Sequence, residues 1–267
     1  MHDPLVGAQV IGYSVLLGAR GIRLLAIGSL RDPVTALREF PRVQQAAIAA
    51  GYPEQAMWAM FYEMELRYAL GNTDGIHTLA QSANRLAENL GGYNEIGAAI
   101  CRCDLLDCGN DWHAVVTVAT DRVSQVRARG AARLFESRLL ALIGAAPIEL
   151  GNVEAGRAAA HEGVAFVRAS NARWSPRSFA VLAQAQLALT ETVADIASTL
   201  DEYEALFTRT GFHVYEGELH ELRARLAERE GQQAERVAVL NRAFECYTRV
   251  GMAAQAARVA DALGDTA

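Results

Sequence analysis

With 267 residues, 51% hydrophobic and 21% charged, the chain has the composition of a soluble globular protein large enough for one large or two ordinary domains, and not that of a disordered chain. Its net charge of -6 leaves no basic surplus to neutralise phosphates, so direct nucleic-acid contact is not expected of it. All 25 basic residues are Arg, and the absence of Lys excludes both a Walker A phosphate loop and a Schiff-base enzyme. Richness in Ala and Arg without Lys also suggests a GC-rich bacterial genome.

At the N-terminus, residues 1–30 are apolar enough to raise the question of a signal peptide or membrane span. His2 and Asp3 stand where a signal would carry positive charge, and Arg20 and Arg23 interrupt the apolar run. What is left is about fifteen residues, short of the roughly twenty needed to span a bilayer. A buried helix is the expected structure, and the cytoplasm the expected compartment.

From there on the chain repeats. Gly51, Gly91, Gly130, Asn171, Gly211 and Gly251 sit in matched surroundings at intervals of 40, 39, 41, 40 and 40 residues. A second series, Gly71, Gly109, Gly151, Thr190 and Gly231, falls about half a period later. Gly or Asn just past a helical run tolerates the left-handed C-terminal cap, so each period reads as two helices joined by short turns. Between the caps the apolar positions keep helical spacing: Ile76, Leu79, Ala80, Ala83, Leu86, Ala87 and Leu90; then Val193, Ile196, Leu200, Tyr203 and Phe207; then Val237, Leu240, Phe244 and Tyr247. The prediction is an all-α fold, a right-handed superhelical solenoid of about six helix-turn-helix repeats with a period of about 40 residues. Residues 1–267 read as a single helical-repeat domain, irregular over 1–50 and clearly repetitive from 51.

Two clusters invite a chemical reading. Cys101, Cys103, Cys108 and His113 offer metal-ligating atoms, but Cys103 lies roughly 200° around a helix from Cys101, so the set does not share a face. Small thiols in an Ala-rich helix read as core filler, and the four cysteines, Cys246 included, show no disulfide framework. The stretch from Gly211 to Gly231 contains His213, His220 and five Glu, and begins like the zinc helix H-E-x-x-H. The position four after His220 is Ala224, so the second ligand is missing and no metal site is expected. Tyr215, Leu219, Leu222 and Leu226 instead form a buried stripe, with Glu216 to His220 and Glu221 to Arg225 as surface pairs. No Ser, His and Asp set and no glycine-rich strand-to-helix turn is present. The chain is read as a nonenzyme without metal or cofactor.

The segment from Val214 to Gly251 resembles the closing repeats of the tetratricopeptide-like region of large bacterial signalling regulators. Those proteins join an ATPase of the AAA/STAND type to a class III adenylate or guanylate cyclase or a LuxR-type helix-turn-helix. The match lies in Tyr215, Glu216, Glu218, Leu219, His220, Leu222, Arg223 and Leu226 and in the amphipathic run up to Gly251, with similar turns at Leu70 to Asn72, Leu150 to Asn152 and His2 to Pro4. The resemblance departs at Gly7 to Leu30, which is longer than one helix usually needs, and it implies no catalytic residue here. It implies a noncatalytic regulatory or scaffold module that binds a protein partner or effector domain of the same signalling system. The alternative is an inducer receptor of a LuxR-type activator, similar to the maltose-regulon type, with a small-molecule ligand. On either reading the binding surface belongs to the first helices of the repeats. Trp58, Tyr62, Glu65, Arg138, Arg177 and Gln184, which look too large or polar for packing alone, are its candidate contacts.

Overall fold

The computed structural model describes residues 14–30, 32–130, 132–170, 176–211 and 213–264. They form thirteen α-helices, with no β-strand among the described residues. The chain divides into two compact units, Met1–Cys108 and Gly109–Ala267. The first contains α1 (Val15–Leu30), α2 (Pro33–Ala49), α3 (Pro53–Ala69), α4 (Ile76–Leu90) and α5 (Tyr93–Cys108). The second contains α6 (Trp112–Arg129), α7 (Glu136–Glu149), α8 (Val153–Ser170), α9 (Arg177–Ala188), α10 (Val193–Thr210), α11 (Glu216–Arg229), α12 (Gln233–Val250) and α13 (Ala253–Gly264).

The predicted glycine punctuation is where the helices turn. Gly51, Gly71, Gly91, Gly130, Gly151, Gly211, Gly231 and Gly251 all adopt positive φ. After many of the helices a backbone N–H just past the cap closes back on the last turn, as in Tyr52 to Ala47, Asn72 to Arg67, Asn152 to Pro147, Glu191 to Gln186, Gln232 to Ala227 and Met252 to Tyr247. In the second series one position shifts by a residue and another keeps its place without a glycine. Near Gly109 the left-handed residue is Asn110, whose short polar side chain tolerates that region. Thr190 holds φ of 55° despite its branched side chain, and its carbonyl accepts a hydrogen bond from Arg229 at 2.9 Å. The cap expected at Asn171 and the turn at His2 to Pro4 lie outside the described residues. Helix starts are equally local: the Asp32, Asp111 and Thr192 side chains accept from the backbone N–H three residues on, and Pro33 and Pro53 occupy first-turn positions where no donor is lost.

In each unit the helices stack as repeats do. The odd-numbered helices pack side by side, α1 on α3 on α5 in the first unit and α7 on α9 on α11 in the second, while the even-numbered helices fill in between neighbours. The consequence is visible in burial. On α4 only Ile76, Ala80, Ala83 and Ala87 are buried, a single stripe, whereas seven consecutive residues of α7, from Glu136 to Leu142, are buried. Val164, Phe179, Leu182, Ile196, Leu200, Tyr203, Leu219 and Leu222 form one continuous core drawn from α8 to α11. On α12 the stripe runs through Val239, Leu240, Ala243, Cys246, Tyr247 and Val250, and the expected core residue Phe244 is exposed.

Polar groups inside this packing are tied down. Glu63 on α3, only 2% exposed, accepts from Gln44 at 2.7 Å and from Arg67 at 2.8 Å. Glu136, 3% exposed, accepts from Arg127 at 2.7 Å and Arg133 at 3.1 Å. The second unit repeats a hydroxyl-to-carboxylate contact from an even helix to α11: Tyr203 donates to Glu218 at 3.1 Å and Tyr247 to Glu221 at 2.5 Å. By contrast, Arg127 to Glu162 and Arg168 to Glu202 link successive even helices across exposed surface, where each pair is worth about 1 kcal/mol or less.

Close helix crossings use glycine. A Cβ at Gly156 on α8 would stand 2.5 Å from the Gly144 carbonyl oxygen and 2.5 Å from Ile148 Cγ1 on α7. Gly156→Ala gains about 1 kcal/mol of helix propensity and meets backbone that cannot step aside, an overpacking cost of about 1–3 kcal/mol. The net expectation is a lower denaturant midpoint for Gly156→Ala; an unchanged or raised midpoint contradicts this close approach.

Candidate functional site

Trp58 and Tyr62, one turn apart on α3, share a face, with ring centroids 6.3 Å apart. Tyr93, the first residue of α5, brings its ring centroid to 4.9 Å from that of Trp58 at 42°. Three contacts fix the indole. Its Nε1 donates to Asn94 Oδ1 at 2.9 Å, Phe61 meets it edge-on at 5.3 Å and 76°, and Gly97 on α5 lets it lie flat. A Cβ at Gly97 would come within 2.9 Å of Trp58 Cη2. On the other side Gly21 of α1 admits Tyr62, whose Cδ2 would lie 3.1 Å from a Cβ there.

Between these rings and α1 lies a half-open cleft of about 220 Å³, with Leu17, Glu54, Gln55, Trp58, Tyr62 and Tyr93 in its wall. All its walls belong to the odd helices of the first unit. Gln55 is buried, and its side-chain oxygen has no hydrogen-bond partner among the described residues. Glu54 makes no ion pair with any described residue, and no lining residue is basic. Burial raises the Tyr93 phenol above its ordinary value, so it stays protonated.

Of the six candidate contacts, the structure brings Trp58 and Tyr62 together in this cleft. Glu65, half-buried on α3, is outside its lining. The other three belong to the second unit. Arg138 is buried in α7 at 6% exposure; Arg177 begins α9 half-buried; Gln184 is half-buried further along α9. Arg177 acts electrostatically on Tyr203, a fully buried phenol held well above its usual value chiefly by burial, then by Glu218 and Tyr215, with Arg177 opposing. Glu54, Gln55, Tyr93 and Asn94 were not among the expected contacts. A mid-helix glycine at 97, costly to helix propensity, was the one sequence signal that something large packs there.

The chemical clusters resolve differently. Cys101 and Cys103 are both buried and Cys108 is exposed, and no three His, Cys, Asp or Glu side chains among the described residues are arranged to hold a metal ion. Cys246 is pushed up to about 11, chiefly by burial, which keeps it a thiol at neutral pH. On α11 the two expected surface pairs are not formed. Glu216 pairs instead with His213 and Arg249, and Glu221 with Tyr247 and Arg258, because the neighbouring helices offer partners that a lone helix lacks. Burial pushes Glu216 up, but its hydrogen bond with His213 and the Arg249 guanidinium outweigh it and hold it below its usual value. His220 is held below its ordinary 6.5 by burial first and then by Arg242 and Arg223, against Glu204 and Glu216, and its Nδ1 has no partner among the described residues.

These features define a tetratricopeptide-like helical-repeat protein with an aromatic cleft on its first helices. A solved structure of similar fold is that of a Rap protein complexed with competence and sporulation factor, at TM-score 0.63 and 12% identity over 94% of this chain and 73% of that one. At that identity the likeness is one of fold. No family model matches the sequence, and no curated protein matches it. No helix among the described residues is long and apolar enough to cross a membrane.

Two outcomes follow from this geometry. Gly97→Ala should displace the Trp58 indole, changing its fluorescence and costing about 1–3 kcal/mol by overpacking; unaltered emission with unaltered stability contradicts the packing. For His220, the folded value lies below the unfolded one, so its contribution to stability is complete above pH 6.5 and is lost as pH falls below that value. His220→Gln should flatten the decline in Tm on acidification from neutral pH toward the carboxylate range, and a parallel decline in both proteins contradicts this role.

Proposed function

We propose that this chain is a noncatalytic regulatory or scaffold module of a bacterial signalling or transcription-regulator system, and that it binds a protein partner through the first-helix face of its repeats. The observation that carries the reading is the cleft between α1, α3 and α5. Stacked repeats bury their odd helices for cohesion, yet here three aromatic rings are held, by Gly21, Gly97 and Asn94, with surface left open. Anchored aromatics in a partly open depression are what protein interfaces use as hot spots. The Rap protein of similar fold, complexed with competence and sporulation factor, supports a regulator's role for such an array. The partner belongs, on this reading, to the cyclase-linked or LuxR-type systems that the Val214 to Gly251 segment resembles, and the protein works in the cytoplasm.

A small-molecule inducer receptor is the second reading. Size weighs against it: at about 220 Å³ and half-open, the cleft is below the roughly 300–1,000 Å³ that enclose a drug-sized ligand, and suits a single inserted side chain. Tagged protein incubated in lysate of its native host tests the choice. Retained proteins should be lost with Trp58→Ala and kept with Phe244→Ser, which changes an exposed ring of α12 that is not in the lining of the cleft. Equal retention by both variants overturns the proposal, and a metabolite that raises Tm through the cleft favours the receptor.

A further inference from the structure

The chemistry of the cleft wall narrows what can enter it. Its lining carries one carboxylate, Glu54, with no ion pair among the described residues, and no basic group. The Trp58 indole N–H is spent on Asn94, so the indole offers its ring rather than a donor. Gln55, buried in the same wall, has a side-chain oxygen without a hydrogen-bond partner among the described residues. An anion would find a carboxylate of like sign and no positive charge to meet it. A neutral apolar group would leave the Gln55 oxygen unsatisfied and Glu54 partly desolvated. A cation on an alkyl stem matches all of these: the stem lies along Leu17, the charge meets the faces of Trp58, Tyr62 and Tyr93, and its N–H groups satisfy Gln55 and Glu54.

We infer that the α1–α3–α5 cleft is a recognition pocket for an organic cation, the alkylammonium or alkylguanidinium end of a partner protein's Lys or Arg side chain. This rests on the reading of the first-helix face as the partner surface. Size agrees with one such side chain, at about 220 Å³. The half-open mouth lets a side chain enter while its backbone stays outside. The chain itself has no Lys, so an alkylammonium in the pocket has to come from another protein.

The test follows the Trp58 indole N–H resonance, assigned with Trp58→Phe, while the full chain is titrated with n-butylammonium chloride, n-pentanol or sodium butanoate. A saturable shift is expected for the ammonium in the millimolar range, with the neutral and anionic probes at least about tenfold weaker. Glu54→Gln should weaken the ammonium about fivefold or more while leaving the helical circular dichroism unchanged. Tyr93→Leu, which keeps an apolar wall but removes a ring face, should weaken it as well. Equal shifts from n-pentanol, no saturable shift, or full ammonium binding in both variants overturns the inference. To separate sources, N-acetyl-lysine methylamide should bind at least as tightly as n-butylammonium; markedly tighter binding of the free amine assigns the pocket to a metabolite and overturns the assignment to a partner side chain. If partner retention depends on Trp58 but cation selectivity is absent, the inference falls and the interaction surface stands. If the cation binds and retention ignores Trp58, the interaction surface falls and the assignment to a partner side chain falls with it, while the cation selectivity of the cleft stands.

Discussion

The constraint from which the rest follows is that no helical pair in this chain can cover its own apolar stripe. Ile196, Leu200 and Tyr203 of α10 and Leu219 and Leu222 of α11 are buried only because each belongs to a core continued by the next pair. An inner odd helix such as α7 is therefore packed against α6, α8 and α9 at once, and loses most of its solvent face. That explains why α7 buries Glu136, Ser137 and Arg138 along with its leucines, and why carboxylates such as Glu63 and Glu136 must find Arg or Gln partners inside the packing. A buried charge without such partners would cost several kcal/mol.

Close stacking also dictates where glycine stands in helix interiors. Gly144 and Gly156 let α7 and α8 approach backbone to backbone, and Gly217 admits the Tyr247 ring, which a Cβ would meet at 2.3 Å. In the first unit the same device has a different product. Gly21 and Gly97 accept the edges of Tyr62 and Trp58, so these rings are locked by packing on one side while the other side borders open space. Rigidity of that kind lowers the entropy lost when a partner group arrives, the condition under which a small pocket can discriminate.

The polar contacts of α11 illustrate how tertiary context reassigns a helix surface. Taken alone, its Glu, His and Arg residues have the spacing of intrahelical pairs. Beside α12 and α13, Glu216 and Glu221 reach Arg249 and Arg258 instead, and each carboxylate also takes a contact from a neighbouring polar side chain, His213 or Tyr247. An interhelical partner wins because it neutralises a half-buried carboxylate, whereas an exposed pair within one helix contributes a few tenths of a kcal/mol.

How much was legible beforehand tracks the same geometry. The all-helical repeat could be read directly, because left-handed caps demand Gly or Asn-like residues at fixed intervals and the even helices, solvated on one side, keep a clean periodicity: the three stripes that stand out belong to α4, α10 and α12. Odd helices carry little such signal, since burial on several sides erases the contrast between faces. Hence Trp58 and Tyr62 could be picked out as oversized, but not their partners Glu54, Gln55, Tyr93 and Asn94, and the burial of Arg138 could not be read beforehand. Local rules, caps and stripes, are written residue by residue along the chain; which side chains from α1, α3 and α5 meet around one cleft depends on how three separate helices pack, and that only the tertiary structure decided.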